Sequence, residues 1–367
     1  MTSPGQTSDK RTAGSPLLMA MQDPAVHRFI AYLADKKAEQ ESAPDQPVRI
    51  ELSRQEIAAV REAFHSSILD GERHLHVLSH LLASILLGGD FELHSNVIGL
   101  LPGDEERQFL IRERITRQTL FSATDIDLGN ALLDNFRYQQ GRAWMPLKLS
   151  ANFVEYIPPR RPESGVNRLT SRVKAEEEMW NKVTDELFHV DELVARDKHL
   201  RQYSKYVKDI FGIKIVCEDE PTCWKTHARL EKLTVGDCVR MGMLENLAVP
   251  VNGQSGCDRF LEFIETKDYL TCPPSQMKKT GWKALKSVIA WNGRLFEIQF
   301  QPLGNYYLEL DHMAGPSHRS FKLLRDAMRD QLAGRIPLYS FYRNLLKMLF
   351  LEEQVCFASE NASVVIS

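Results

Sequence analysis

Two acids on apolar runs, Asp209 in KDIFGIKIV and Glu297 in LFEIQFQ, and the cations around them are the residues best suited to chemistry. Phosphate transfer needs a divalent metal, carboxylates that hold it without moving, and cationic donors for the remaining oxygens. The cations are Arg172 and Lys174 in SRVK, Lys182 eight residues after Lys174, Lys267 in TKDYL, and Lys278, Lys279, Lys283 and Lys286 in MKKTGWKALK. Arginine can fork onto two phosphate oxygens, whereas lysine acts as a point charge. Trp282, after Gly281, offers a flat face on which a purine can stack. Taken singly, each acid reads better as a solvated strand-end residue, each lysine as a surface charge and the tryptophan as partial core. Taken together they read as a nucleotide and Mg²⁺ site, with Asp209 and Glu297 as catalytic acids and metal ligands.

The segments TSRVKAEEEMWNK, KDIFGIKIV, KDYLTCPPSQMKKTGWKALKSV and FEIQFQ, in this order, resemble the synthetase domain of the RelA/SpoT alarmone synthetases over about residues 165–325. The resemblance implies an α+β fold, a nucleotidyltransferase-like mixed β-sheet flanked by helices. It also implies a transferase that moves the β,γ-pyrophosphate of ATP to the 3′-hydroxyl of GDP or GTP with Mg²⁺. On that alignment Arg172, Lys174 and Lys182 match the grip on the ATP phosphates, and Asp209 matches the metal-binding acid. Lys267 and Asp268 match a loop-opening pair. Glu297 matches the second acid, which helps hold the metal and assists deprotonation of the attacking hydroxyl. Departures fall on the acceptor side. Lys214 stands where the family pattern DxxGxR has Arg, Trp282 replaces a stacking Tyr, Lys286 replaces a His, and Gln301 replaces an Arg. Two other readings therefore stand beside alarmone synthesis: a toxin-like synthetase acting on adenosine nucleotides or the tRNA 3′ end, and a degenerate module that binds nucleotide or RNA without turnover.

Elements must position these groups. Ile210–Cys217 reads as a strand, as does 261–265, and 284–290 and 294–301 read as hairpin arms about Trp291-Asn292-Gly293, whose Asn-Gly pair suits a tight turn. Glu297 then shares a face with Leu295 and Gln299, while Phe296, Ile298 and Phe300 face the core. Helices are predicted over 24–38, from a Ser53/Glu56 capping box onward, and over 72–88, 104–118, 126–140, 172–187, 193–208 and 222–233. The domain reading is a tail and short helix over 1–50, a helical domain over 51–157, the synthetase-like domain over 165–330 and an amphipathic helix over 335–355. PPRRPES at 158–164 serves as the linker. The last helix could pair with another subunit or pack on its own sheet.

With 367 residues, 43% apolar, and a net charge of −3, the chain has enough core for two domains and no general basic coat for nucleic acid. Six cysteines without CxxC spacing read as reduced thiols. Residues 1–16 lack an apolar signal core, so a cytoplasmic protein without a membrane partner is expected. His76 and His80, four residues apart on a predicted helix, have a spacing that can bind zinc. Without the Glu of HExxH, they read as partly buried histidines.

Overall fold

The computed structural model describes residues 23–101, 107–145, 147–174, 176–188, 210–244, 258–271, 282–313, 338–351 and 362–367, with Arg329 and Ile336 besides. In chain order the elements begin α1 (Pro24–Ser42), β1 (Val48–Leu52), α2 (Arg54–Leu87), β2 (Glu92–Leu101) and β3 (Arg107–Ile115). Then come α3 (Arg117–Ser122), α4 (Asp125–Asp134), β4 (Tyr138–Gln140), β5 (Ala143–Met145), β6 (Lys148–Ile157), β7 (Val166–Val173) and α5 (Glu176–Leu187). The series closes with β8 (Phe211–Cys217), α6 (Glu220–Glu231), α7 (Val235–Arg240), β9 (Glu262–Asp268), β10 (Leu285–Trp291), β11 (Arg294–Pro302), α8 (Leu303–Met313), α9 (Tyr339–Leu351) and β12 (Ala362–Ile366). The chain divides into two compact units, one of residues 1–70, 174–208 and 320–367, the other of residues 71–173 and 209–319.

The second unit is built on one eight-stranded sheet in the order β3-β2-β6-β7-β8-β11-β10-β9. The sheet is mixed: β8 and β11 run parallel, and the remaining neighbours are antiparallel. β10 and β11 form the expected hairpin, and Asn292 and Gly293 at its tip take φ of 53° and 77°, the left-handed region a two-residue turn demands. Phe296, Ile298 and Phe300 are buried at 1%, 0% and 0% exposure. Helix α6 packs against β8 and β11, with His227 edge-on to Phe263 and Phe300 at 4.9 and 5.2 Å.

Three expectations fail here. Within the segment 104–118, RQFLIRERI at 107–115 is not a helix but β3, an outer strand of the sheet. Its charge density resembles helical text, but an edge strand rich in Arg and Glu resists pairing with a second molecule, so the same charges suit an edge. Residues 51–157 are accordingly not a helical domain, because β2, β3 and β6 are strands of the main sheet. PPRRPES is not a domain linker either; it joins β6 to β7 within that sheet.

In the first unit, β1 pairs in parallel with β12, Val48 opposite Ala362 and Leu52 opposite Ile366. The Ser53/Glu56 box opens α2: Ser53 N donates to Glu56 Oε2 at 2.8 Å and Glu56 N to Ser53 Oγ at 3.1 Å. Trp180 of α5 is sandwiched between Phe64, 4.4 Å away, and Phe350, 4.0 Å away and nearly parallel. Helix α9 therefore packs on α5 rather than on a sheet. Its Tyr342 hydroxyl donates to the Leu33 carbonyl of α1 at 3.1 Å. Among the described residues no helix is long and apolar enough to cross a membrane, and Cys217, Cys223 and Cys238 are buried free thiols.

Candidate functional site

Strand register writes a polar row across the whole sheet. Arg114 of β3 is opposite His94 of β2, which is opposite Glu155 of β6, and Glu155 is opposite Thr170 of β7. The row continues through Lys214 of β8, Gln299 of β11, Lys286 of β10 and Lys267 of β9. Two residues along each strand lies a second row, with Arg172 opposite Gly212 and Gly212 opposite Glu297. Side chains two apart on a strand share a face, so both rows belong to one surface.

A pocket opens on that surface, lined by Thr170, Arg172, Gly212, Lys214, Gln299, Tyr306 and Glu309 among others. Gly212 lines the pocket without a side chain, beside Arg172. Helix α8 supplies the opposite wall. Its Glu309 holds Lys214 Nζ at 2.8 Å and accepts from the Trp282 indole Nε1 at 3.0 Å and from Gln301 Nε2 at 2.8 Å. Tyr306 lies beneath the Lys214 ammonium, 5.5 Å from ring centre to Nζ. Burial pushes the Lys214 ammonium below the usual lysine range despite Glu309. Burial would raise Glu309, but the Lys214 charge, the Gln301 bond and Arg172 outweigh it and hold the carboxyl at about 2. The acid stays ionised, and the lysine is the member nearer to losing its charge.

Beside this pocket Glu155 anchors the row. It is 3% exposed and accepts from the Tyr306 hydroxyl at 2.6 Å, Arg168 Nη1 at 3.0 Å and Asn96 Nδ2 at 3.2 Å.

Glu297 is 1% exposed, and both its oxygens are engaged: Oε1 accepts from Gln299 Nε2 at 2.6 Å, and Oε2 meets the Lys286 ammonium. A Mg²⁺ ion needs ligand oxygens turned toward it, and Glu297 as placed turns them to a lysine and an amide. Asp209, the second expected ligand, lies outside the described residues, as do Lys278 and Lys279. The described residues thus do not assemble a Mg²⁺ site around Glu297.

The other expected residues distribute as follows. Arg172 and Lys214 line the pocket, and Arg172 is a strand residue rather than the start of a helix. Lys174 and Lys182 belong to the first unit, Lys182 on α5. Lys267 is exposed on the edge strand β9, 3.1 Å from Glu265. Asp268 closes the turn after β9, accepting from Leu270 N at 2.7 Å and Thr271 N at 3.1 Å. Trp282 commits its N–H edge to Glu309 and lies edge-on to Tyr269 at 5.6 Å. Sequence reasoning missed Glu309, Tyr306, Thr170 and Glu155. The one usable signal was Tyr306 and Glu309, three apart on the helix that follows FEIQFQP.

No protein-family model matches the chain, and no curated protein does. A solved structure, the small alarmone synthetase 1 from Bacillus subtilis bound to its product pppGpp, is similar over 52% of this chain and 77% of that one. The identity is 14% and the TM-score 0.25. A likeness that slight carries no argument about activity, and the functional reading rests on the side chains above.

Proposed function

We propose that the face bearing Arg172, Lys214 and Glu297 binds the phosphates of a nucleotide and serves pyrophosphate transfer from ATP to the 3′-hydroxyl of a guanosine nucleotide, in a nucleotidyltransferase-like sheet. The observation that carries this reading is the register, which sets Arg172, Gly212 and Glu297 side by side on three neighbouring strands with Lys214 in the next row. Arg172 offers a fork for phosphate oxygens, Lys214 a positive charge on the pocket wall, and Gly212 room for the ligand to approach. Positioning and charge compensation make up most of what phosphoryl transfer asks of a protein. Mg²⁺ belongs to the reaction as proposed, with Asp209 and Glu297 assigned to it. Glu297 would have to release Lys286 before it could hold the ion.

That clasp favours a second reading, in which the Lys286 ammonium replaces the divalent cation and the face binds nucleotide without turnover. One experiment separates the two. Full-length protein is incubated with ATP, Mg²⁺ and GDP, GTP, ADP or tRNA, and AMP release and acceptor mass are measured. Transfer predicts AMP together with an acceptor heavier by one pyrophosphate, lost in Arg172→Ala. The second reading predicts thermal stabilisation by nucleotide that persists in EDTA, with no AMP. No AMP with any acceptor sinks the transfer reading, and no AMP together with no stabilisation sinks both.

A further inference from the structure

One buried cluster takes no part in this pocket. Glu72 and His76 stand four apart on α2 and share a face of the helix. Asp125, the first residue of α4, meets them there. The three are 6%, 2% and 2% exposed. His76 Nε2 lies 3.2 Å from Asp125 Oδ1 and 3.5 Å from Glu72 Oε1. One nitrogen and one oxygen from each acid all fall within 4.8 Å of one another. Ligand atoms about 2.0–2.2 Å from one metal ion stand roughly 3.0–3.5 Å apart, so the two separations from His76 match edges of a coordination shell.

The hydrogen bonding is lopsided in the same sense. The Asp125 backbone is fixed: its N–H donates to Glu72 Oε1 at 2.5 Å, and its carbonyl accepts from Asn152 Nδ2. Asn152 is itself held by the Ser95 hydroxyl at 3.1 Å. Yet both carboxylate oxygens of Asp125 and both ring nitrogens of His76 are buried without a hydrogen bond. Among the described residues, no lysine or arginine pairs with Glu72 or Asp125. Apart from His76 no cation faces these buried carboxylates, so the positive charge they require is either the proton of that imidazole or a metal ion in its place. One imidazole and two carboxylates suit a first-row divalent ion such as Zn²⁺ or Mn²⁺ better than Mg²⁺ or Ca²⁺.

We propose that Glu72, His76 and Asp125 bind one divalent transition-metal ion through His76 Nε2 and the two carboxylates. The site stands apart from the nucleotide pocket and does not depend on its function.

The test uses chelator-stripped full-length protein titrated with Zn²⁺ against a chromophoric competitor, and with Co²⁺ followed by its visible spectrum. One equivalent of Zn²⁺ is expected, with Co²⁺ bands of nitrogen and oxygen ligation and no thiolate charge-transfer band. His76→Gln and Asp125→Asn should each weaken binding by roughly tenfold or more. Absence of binding by the unmodified protein overturns the proposal, as does a thiolate band or unchanged affinity in both variants. Because the cobalt spectrum is read on unmodified protein, a variant that fails to fold does not remove the test.

Discussion

At the scale of single residues, the pair Lys214–Glu309 sets an acid sensitivity. Glu309 titrates at about 2 in the folded protein against an ordinary 4.5, so the folded state holds its charge more tightly than the unfolded chain does. A carboxyl lowered by folding adds stability above the unfolded value and gives it up as pH falls through the folded one. Urea midpoints between pH 4.5 and pH 2 should therefore fall more steeply for the unmodified protein than for Glu309→Gln; parallel curves would refute the assignment. The shared face of Glu297 and Gln299 was legible at this scale, because strand alternation alone sets it, whereas the approach of Lys286 from the neighbouring strand was not. Glu309 was not. It reaches Lys214 from a helix, and no local pattern in the sequence states which strand residue a helix will cover. His76 shows a subtler failure: a helix gives it two partners four residues away, Glu72 and His80. Pairing like with like selected His80, which in the fold turns to Phe91 at 5.2 Å.

Among the elements, α2 is the one whose packing depends most visibly on a missing atom. Gly71 lies against Phe211, the first residue of β8, and a Cβ there would stand 2.0 Å from the end of the ring. Phe211 is 1% exposed and tilted against Phe296 at 5.9 Å, so the ring has little room to yield. Alanine would gain about 1 kcal/mol of helix propensity, while overpacking of this kind costs about 1–3 kcal/mol. Gly71→Ala should lower the melting temperature by several degrees; an unchanged or raised value would show that the ring moves aside. Hairpin β10–β11 and strand β8 were readable because alternation, an Asn-Gly turn and β-branched content agree there. β2, β3 and β6 were not, since charge-rich text such as RQFLIRERI fits a helix surface and a sheet edge equally well until neighbours are known.

Across the whole molecule, sequence order and spatial order part company. The stretch 174–208 lies in the first unit, while β7 before it and β8 after it are neighbours in the second, Val173 opposite Phe211. A reader moving along the chain meets composition shifts at 38–47 and 158–164 and takes them for boundaries. The changes of unit at 70/71 and 173/174 have no comparable signature. Long-range pairing of this kind is invisible to any window of a few turns, and it delays folding because distant segments must meet before contacts repay the loop.

The β1–β12 ladder carries this furthest. It ties residues 48–52 to 362–366, whereas the eight-stranded sheet already has its last strand by residue 302. During synthesis the large sheet can assemble while the ribosome is still adding the partner that β1 awaits. Nascent chains arrested near residue 350 should thus resist protease across the sheet but not at β1, and released chains at both. Equal exposure of the two regions at arrest would contradict that order of birth.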